Sequence, residues 1–341
     1  MGPIAVCTTS PATPLRDEVP GALRDVGRLD GWSVVTRALM FGATGYLGAN
    51  LHAYLADQAW EVIVPKRTDG SKLDLGEREA LNGIDWDVDC VFVFAGVTGT
   101  ASSFDDYRNG LRGNNLALLN ILDAIRFSSR RPRVVFPSTR LVYDGHEAPI
   151  AEDGEKFPRT LYAANKAACE AYLSAYGNGF GIPYTVCRIG VPYGSVHGTG
   201  YSFGTIGNFI KQLTAHGRIR IFGDGSPRRT FTHVDDLCRM IVEMSTHERC
   251  ADVVFNVPGT DLSIVQAASI LVERIGFGEV EHVAWPEFDR KIESGSTVFD
   301  ASHLMEILQD RPRTDFETWC ASLKGDPEIR MPRILDTGAF R

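Results

Sequence analysis

Two side chains that could move a proton lie one helical turn apart near the middle of the chain. Tyr162 and Lys166 stand in the segment YAANK, within a stretch whose apolar spacing predicts a helix over 162–176. Residues four apart lie on the same face of a helix, so the Lys166 ammonium would lie close to the Tyr162 phenol. A nearby cation lowers the pKa of a phenol, which would let the tyrosine exchange a proton with a carbinol oxygen. Such pairs are also common on exposed helix surfaces, so the pattern needs its context.

A hydroxyl group precedes this helix at the end of an apolar segment. The run RVVFPST (133–139) predicts a buried strand, and Thr139 is its last residue. Sites of α/β folds lie at the carboxyl ends of parallel strands, so the Thr139 hydroxyl could hydrogen-bond the oxygen that reacts with Tyr162. The alternative is that Thr139 only caps the end of the strand.

A glycine-rich turn stands at the start of the predicted fold. Gly42, Gly45 and Gly48 form GxxGxxG directly after the apolar run ALMF and directly before a segment with helical spacing. Glycines there permit a tight turn and a close approach of the backbone to a pyrophosphate, to which the helix N-terminus offers its N–H groups. Because the triplet lies between a strand and a helix, it predicts a dinucleotide-binding site rather than an ordinary turn.

The second predicted strand ends in two cations where NAD-binding folds usually carry a carboxylate. That carboxylate, about 20 residues beyond the glycines, holds the ribose 2′-hydroxyl. Here the strand EVIV is followed by Lys66 and Arg67. Two cations suit a 2′-phosphate, which favours NADP over NAD. They could instead be solvated surface charges, so NAD stays an alternative.

The order of the remaining segments predicts the fold class. Apolar strands alternate with amphipathic helices from Arg37 to Gly190, which is typical of a parallel sheet covered on both faces. We therefore expect a Rossmann-like α/β fold with a doubly wound parallel sheet and a smaller C-terminal substrate-binding lobe. The predicted segments are an N-terminal extension over 1–36, a dinucleotide-binding domain over 37–190 with return segments near 230–257, and the smaller lobe over 191–335.

Composition excludes several classes of protein. The chain has 341 residues, 44% of them hydrophobic and 23% charged, with a formal net charge of −8, so we expect a globular protein that does not bind nucleic acid. No apolar stretch is long enough to span a membrane, and the first residues lack the pattern of a secretory signal. Seven cysteines without a CxxC pair fit a reducing cytoplasm, and eight histidines without ligand spacing predict no metal site.

In combination these motifs resemble the extended short-chain dehydrogenase/reductase family, in its NAD(P)-dependent nucleotide-sugar epimerase/dehydratase/ketoreductase branch. The resemblance begins near Arg37 and extends to the C-terminal region. The matching segments are GATGYLG, FAG at 94–96, Asn114 in NNLALLNILDA, PSTRLVYDG, YAANK, CRIGVPYG and IFGDGSPRRTFTHVDD.

The resemblance implies roles for individual residues. Thr139, Tyr162 and Lys166 would be catalytic, with Tyr162 as acid/base. Arg229 in RTFTHVDD and Arg290 in FDRKIESGSTVFD would contact the diphosphate of a nucleotide sugar. The residues implied to bind the cofactor are Gly42, Thr44, Gly45, Tyr46, Leu47, Gly48, Lys66, Arg67, Asp74, Leu75, Ala95, Asn114, Tyr162 and Lys166.

Two departures from the family pattern narrow the reaction. Members that catalyse 4,6-dehydration usually carry Asp-Glu directly after the catalytic threonine. Arg140 and Leu141 follow Thr139 here, which argues against the elimination of water. Val191 stands where many sugar-nucleotide epimerases carry asparagine, so the contacts with the sugar must differ.

The expected function is NAD(P)-dependent epimerisation or 4-keto reduction of a nucleotide-diphosphate sugar. Two alternatives stay open: a reductase of a carbonyl that is not on a sugar, and a non-catalytic dinucleotide sensor. The family also implies a homodimer formed through helices, to which the alanine-rich face of 162–176 is suited. The aromatic residues Tyr193, Tyr201 and Phe203 could either stack on the substrate or pack within the smaller lobe.

Overall fold

The structure is a computed structural model that describes residues 36–66, 70, 72–195, 197, 200–201, 203–308 and 311–331. The predicted extension over 1–36 thus lies outside the described residues, except for Thr36. The strands are β1 (Arg37–Phe41), β2 (Glu61–Ile63), β3 (Cys90–Val93), β4 (Arg133–Thr139), β5 (Tyr184–Ile189), β6 (Val191–Tyr193), β7 (Arg218–Phe222), β8 (Arg228–His233), β9 (Val253–Asn256), β10 (Thr260–Ser263) and β11 (Glu279–Val283). The helices are α1 (Tyr46–Asp57), α2 (Tyr107–Gly110), α3 (Ala117–Arg126), α4 (Leu161–Phe180), α5 (Gly204–His216), α6 (Val234–Thr246), α7 (Ile264–Ile275), α8 (Glu287–Ile292), α9 (Ser302–Ile307) and α10 (Phe316–Ser322).

Six strands form the central sheet, in the order β2-β1-β3-β4-β5-β9. Every neighbouring pair is parallel. Strands β3 and β4 are buried along their whole length because apolar clusters cover both faces of the sheet. This arrangement confirms the predicted Rossmann-like α/β fold.

The order of the central strands reverses at β1. Strand β2 lies on one side of β1 and β3 on the other, which makes the carboxyl end of β1 a topological switch point. The pairing of β3 with β4 ends at Val135, whereas β4 stays paired with β5 as far as Thr139. A crevice therefore opens between β3 and β4 at the carboxyl edge of the sheet.

Two smaller sheets form after residue 190. One contains β10, β8 and β6, and the other pairs β11 with β7 in parallel. Their helices surround a separate apolar cluster that includes Phe231, Leu271 and Trp319. The chain also returns to the central sheet, since β9 pairs with β5.

Helix α4 begins and ends at residues suited to those positions. The Thr160 side chain caps its N-terminus by accepting a hydrogen bond from the Ala163 N–H at 3.1 Å. Gly181 ends the helix with a φ of 63°, in the left-handed region that favours glycine. These boundaries place Tyr162 in the first turn and Lys166 in the second, next to the carboxyl end of β4.

The helical segment that contains Asn114 includes a wider turn. A π-helical segment, Leu111–Leu116, lies between α2 and α3. The Asn114 side chain accepts a hydrogen bond from the Val97 N–H at 2.9 Å and donates one to the Val97 carbonyl at 3.0 Å. The wide turn therefore joins the helix to the loop after β3, and such turns often occur at functional sites.

Within the described ranges, no helix combines the length and hydrophobicity needed to cross a bilayer. The same ranges hold no cluster of three or more His, Cys, Asp or Glu side chains that could bind a metal ion.

Candidate active site

A cavity of about 800 Å³ lies at the carboxyl edge of the central sheet, along the switch point. The start of α1 and the loop after β3 form one wall. The opposite wall comes from α5, β7, β8 and the segment 285–294. The cavity is thus enclosed between the central sheet and the elements that follow residue 190, a usual place for a ligand site in an open α/β sheet.

The glycine turn brings the backbone of β1 against the loop after β3. Gly42 has a φ of 93°, and a side chain there would overlap the backbone of Phe94 and Ala95. A Cβ on Gly48 would overlap the Gly42 carbonyl oxygen, whereas a Cβ on Gly45 would lie 3.6 Å from that oxygen. Helix α1 also begins without a side-chain cap, so its first N–H groups are open to an anion.

The three predicted catalytic side chains line this cavity together. Thr139 is buried, and its hydroxyl oxygen accepts a hydrogen bond from the Leu141 N–H at 3.3 Å. Lys166 is also buried, and its Nζ donates to the Pro137 carbonyl at 2.6 Å. Strand β4 thus supplies both the hydroxyl and the acceptor that holds the ammonium, while α4 supplies Tyr162.

Burial sets the protonation of the two titratable groups. Desolvation raises the pKa of Tyr162 to about 12 and lowers the pKa of Lys166 to about 8. We predicted from sequence that Lys166 would lower the pKa of Tyr162, but the pKa is shifted in the opposite direction because burial dominates. Tyr162 is therefore protonated at neutral pH, the form that can donate a proton to a carbonyl oxygen.

Arg229 reaches the cavity from β8 with most of its donors already occupied. It is 2% exposed and forms an ion pair with Glu293. Its Nη1 donates to the carbonyls of Arg228 and Gly295, and its buried Nε has no partner among the described residues. An anionic ligand would therefore have to join or displace the Glu293 carboxylate.

Arg140 lines the cavity beside Arg229. Its Nη1 donates to the hydroxyls of Ser294 at 3.1 Å and Thr297 at 3.0 Å. Desolvation, followed by the charge of Arg229, lowers the pKa of Arg140 to about 9, and Glu293 opposes this shift. The guanidinium is thus oriented by two neutral hydroxyls rather than by a carboxylate.

Two aromatic pairs contribute to the walls. The rings of Phe222 and Trp285 lie 5.0 Å apart, and both residues line the cavity. On the side of α1, Phe203 stacks on Tyr46 with centroids 4.9 Å apart and an interplanar angle of 24°. The pair of Phe222 with Trp285 was not predicted from sequence, because 63 residues separate its members.

The other two aromatic residues considered from sequence pack within the fold. Tyr193 is 1% exposed and lies edge-on to Trp319, with centroids 4.9 Å apart. Tyr201 also contacts Trp319 and donates a hydrogen bond to Asp326 at 3.0 Å. Of the three aromatic residues, only Phe203 lines the cavity.

The predicted cofactor residues fall into three groups. Those that line the cavity are Gly45, Tyr46, Leu47, Gly48, Ala95, Asn114, Tyr162 and Lys166. Those described outside its lining are Gly42, Thr44, Lys66, Asp74 and Leu75. Arg67 lies outside the described residues.

Three predicted binding residues have exposed side chains. Lys66 is exposed beyond the end of β2, and Asp74 accepts a hydrogen bond from Arg112 at 2.8 Å, which lowers the pKa of Asp74. Arg290 is not among the residues that line the cavity with Arg229, and its contact with a diphosphate stays a prediction. Asp289 and Ile292 of the short helix α8 line the cavity, whereas Arg290 lies on its exposed side.

A buried charged network lies behind the predicted catalytic residues. Glu170, one turn beyond Lys166 on α4, accepts hydrogen bonds from Arg188 on β5 at 3.1 and 2.6 Å and from the Ser138 hydroxyl. Arg188 also donates to the Tyr143 hydroxyl at 2.5 Å. Glu170 was not predicted from sequence, although its position four residues after Lys166 was a visible signal.

Residues 38–257 match the NAD dependent epimerase/dehydratase family. The chain is 27% identical over 234 residues to the uncharacterized UDP-glucose epimerase YtcB of Bacillus subtilis (strain 168), covering 67% of this chain and 71% of that protein. It is 26% identical over 267 residues to the UDP-glucuronate 4-epimerase of Thermodesulfobacterium geofontis (strain OPF15), covering 76% and 80% of the two chains.

A solved structure has the same fold. The chain superposes on RMD from Pseudomonas aeruginosa, solved in complex with NADPH, with a TM-score of 0.73 and 22% sequence identity. The match covers 85% of this chain and 97% of that one.

Proposed function

Because the chain belongs to the NAD dependent epimerase/dehydratase family, we propose that it transfers a hydride at a ring carbinol or ketone of a nucleotide-diphosphate sugar. The observation that carries this proposal is that Thr139, Tyr162 and Lys166 line one cavity together with the glycine turn before α1. A hydroxyl, a phenol and an ammonium beside a dinucleotide-binding turn are the protein groups that carbinol–ketone chemistry needs.

The residues around α1 fit a nicotinamide dinucleotide. Gly42 and Gly48 permit a turn that a side chain at either position would block, and the uncapped helix end suits a pyrophosphate. Ala95 and Asn114 would flank the dinucleotide, and Lys166 would hold its ribose. When bound, the cofactor supplies or accepts the hydride.

Tyr162 acts as the acid/base in the proposed reaction. Its phenol donates a proton to the ketone oxygen on reduction, and its phenolate accepts the carbinol proton on oxidation. Thr139 hydrogen-bonds the same oxygen and orients it. The Lys166 ammonium, four residues from Tyr162 on α4, stabilises the phenolate.

The residues after Thr139 favour oxidoreduction over elimination. Arg140 and Leu141 line the cavity where a dehydratase carries its acid and base, and neither side chain can serve as that base. Epimerisation through a transient ketone and reduction of a 4-keto sugar both use the groups that are present. These two reactions differ in whether the cofactor is regenerated within one cycle.

Several groups suit a diphosphate that carries a base. Helix α5 begins at the cavity without a side-chain cap, with Gly204 and Thr205 in the lining. Together with Arg229 it offers positive potential to phosphate oxygens. Phe222 and Trp285 present aromatic faces on which a nucleobase could stack. The two relatives are by name enzymes of UDP-sugars, which favours the same substrate class.

We further propose that NADP is preferred to NAD. Lys66 follows β2 and is exposed, and no carboxylate stands there to hold a ribose 2′-hydroxyl. Arg67 would add a second cation for the 2′-phosphate. NAD is the alternative, and it is the cofactor expected if the two cations are only solvated surface charges.

The proposed assembly is a homodimer formed through α3 and α4, and the proposed location is the cytoplasm. Phe127 and Phe180, at the ends of these helices, are 68% and 41% exposed, and a partner would cover them. The six described cysteines are free and buried, as in proteins of a reducing compartment.

Two other functions compete with this proposal. A reductase of a non-sugar carbonyl needs no cations for a diphosphate, so it predicts turnover without affinity for UDP. A dinucleotide sensor needs neither Tyr162 nor Lys166, so it predicts dinucleotide binding without turnover of any sugar nucleotide.

The test is to denature freshly purified full-length protein, identify any released nucleotide by mass spectrometry, and then assay sugar nucleotides. Stoichiometric NAD(H) supports an epimerase and contradicts the preference for NADP. An empty protein that takes up NADPH better than NADH supports a ketoreductase acting on 4-keto sugar nucleotides. A protein that binds neither dinucleotide overturns the proposed function.

A further inference from the structure

Arg140 forms no ion pair within the described part of the chain, although it lines the proposed active site. Its Nη1 is held by the hydroxyls of Ser294 and Thr297. Its Nε and Nη2 make no hydrogen bond to a described residue. Neither atom is fully buried. This edge of the guanidinium is therefore open to the cavity.

The neighbouring charges leave a positive excess at this point. Arg229 lies close enough to disfavour the charged form of Arg140, and the Glu293 carboxylate is already paired with Arg229. Two guanidinium groups and one carboxylate leave one positive charge in a partly desolvated site. A cation in that position is costly until an anion joins it.

Building on the proposed function, we propose that Arg140 binds a carboxylate carried by the sugar ring, so that the preferred substrates are nucleotide-linked uronic acids. Thr139 is the proposed partner of the reacting oxygen, and Arg140, the next residue in the chain, lines the same cavity. The open edge of the guanidinium presents two parallel N–H groups, which match the two oxygens of a carboxylate.

The diphosphate is the other anion that could meet Arg140. Helix α5 and Arg229 already offer it a helix N-terminus and a guanidinium. Arg140 is instead anchored by the neutral hydroxyls of Ser294 and Thr297, and it lines the same cavity as Thr139. A neutral hydroxymethyl group at this place would leave the guanidinium without a counter-charge, so the subsite discriminates between an acidic and a neutral sugar.

The test compares ligands that differ only at the sixth carbon. UDP-glucuronate and UDP-glucose, and GDP-mannuronate and GDP-mannose, are titrated calorimetrically into the full chain carrying Tyr162→Phe, which prevents turnover. We expect the uronate of the accepted pair to bind about tenfold or more tightly than the neutral sugar. Arg140→Met abolishes this preference by weakening the uronate alone. Arg140→Lys keeps the charge but loses the two parallel N–H donors, so it retains part of the preference.

Binding of UDP or GDP alone distinguishes a contact of Arg140 with the sugar carboxylate from a contact with the diphosphate. Arg228→Met, which removes an exposed arginine paired with Asp261 outside the cavity lining, is the matched control and keeps the preference. The inference is overturned if uronate and neutral sugar bind equally well, or if Arg140→Met weakens the nucleoside diphosphate as much as the uronate. Retained dinucleotide binding shows that the variants are folded. If neither the UDP-sugars nor the GDP-sugars bind, the proposed function itself fails and the inference fails with it.

Discussion

Glu170 accepts two hydrogen bonds from Arg188, from Nε at 3.1 Å and from Nη2 at 2.6 Å, one turn of α4 beyond Lys166. Both side chains are buried, and the Ser138 hydroxyl donates to the same carboxylate. Arg188 lies on β5 and Ser138 on β4. The pair therefore fixes α4, and with it Tyr162, against the sheet whose edge carries the reacting groups.

Breaking this pair should destabilise the protein. Glu170→Gln is expected to lower the free energy of unfolding by about 3 kcal/mol or more, because Arg188 stays buried without its counter-charge. Equilibrium urea denaturation measures the change. Glu317→Gln, which breaks an exposed pair with Arg274, is the matched control and should cost less than about 1 kcal/mol. Equal losses from both variants would contradict the role assigned to burial.

Removing the Tyr162 hydroxyl should abolish turnover while keeping the cofactor site. Tyr162→Phe is expected to lower kcat at least about 100-fold, since the proton then has no donor or acceptor at the reacting oxygen. Dinucleotide affinity, measured by fluorescence titration, should be largely unchanged. Tyr172→Phe on the same helix, which packs against the core, is the control and should retain activity. Full activity in Tyr162→Phe would refute the assignment.

Two glycines of the turn before α1 should differ in their roles, since Gly48 is needed for folding and Gly45 for dinucleotide binding. Gly48→Ala should destabilise the protein, because its Cβ would overlap the Gly42 carbonyl. Gly45→Ala should keep the stability, because its Cβ has only an ordinary contact, at 3.6 Å, but it should weaken dinucleotide binding by obstructing the approach of the pyrophosphate. Thermal unfolding and NADPH titration are measured for both variants. A Gly45→Ala protein with normal affinity would place the pyrophosphate elsewhere.

Lys166 should make stability depend on pH in the alkaline range. Burial lowers its pKa from the ordinary value of 10.5 to about 8. Between these values the folded protein has released the proton while the unfolded chain still binds it, so the free energy of unfolding rises with pH. Below about pH 8 both states are protonated, and the penalty of burying the charge is constant.

Lys166→Met removes this contribution. The free energy of unfolding of the variant relative to wild type should therefore be highest near pH 7 and should fall progressively from pH 8 to 10. Urea denaturation across that range, without added ligands, measures this difference. Lys211→Met, at an exposed position of α5, should show no such trend. A difference between Lys166→Met and wild type that does not vary with pH would contradict the lowered pKa.

Lys66 should contribute to cofactor choice. Lys66→Ala is expected to weaken NADPH binding more than NADH binding, because only NADPH carries the 2′-phosphate. Titration of both cofactors gives the ratio of affinities. Lys72→Ala, at another exposed lysine, is the control and should leave that ratio unchanged. If Lys66→Ala weakens the binding of both cofactors equally, Lys66 does not contact the 2′-phosphate.

Local patterns were sufficient to predict most of the central sheet. The run 133–139 has the same bounds as β4, because its central residues 134–137 are apolar, as in a strand buried on both faces. The π-helical turn at Asn114 was not predictable in this way. It depends on hydrogen bonds to Val97, a residue on a different element.

The site was predictable only where its residues belong to contiguous motifs. The turn before α1 and the pair of Tyr162 with Lys166 are such motifs. The ion pair of Arg229 with Glu293 joins residues 64 apart, so only the folded chain shows that this arginine is already engaged. The sequence also does not reveal that Arg290 lies on the exposed face of α8.

Pro137 has a consequence for the shape of the sheet. Arg133 directs its backbone N–H to Asp89 on the side of β3, and in a strand every second residue faces the same neighbour, so residue 137 faces that side too. An imino acid has no N–H to donate, so the ladder toward β3 cannot be extended there, and the Pro137 carbonyl is free for Lys166. The β3–β4 ladder thus ends just before a backbone nitrogen that cannot donate a hydrogen bond, while the opposite edge of the same strand stays paired as far as Ile189.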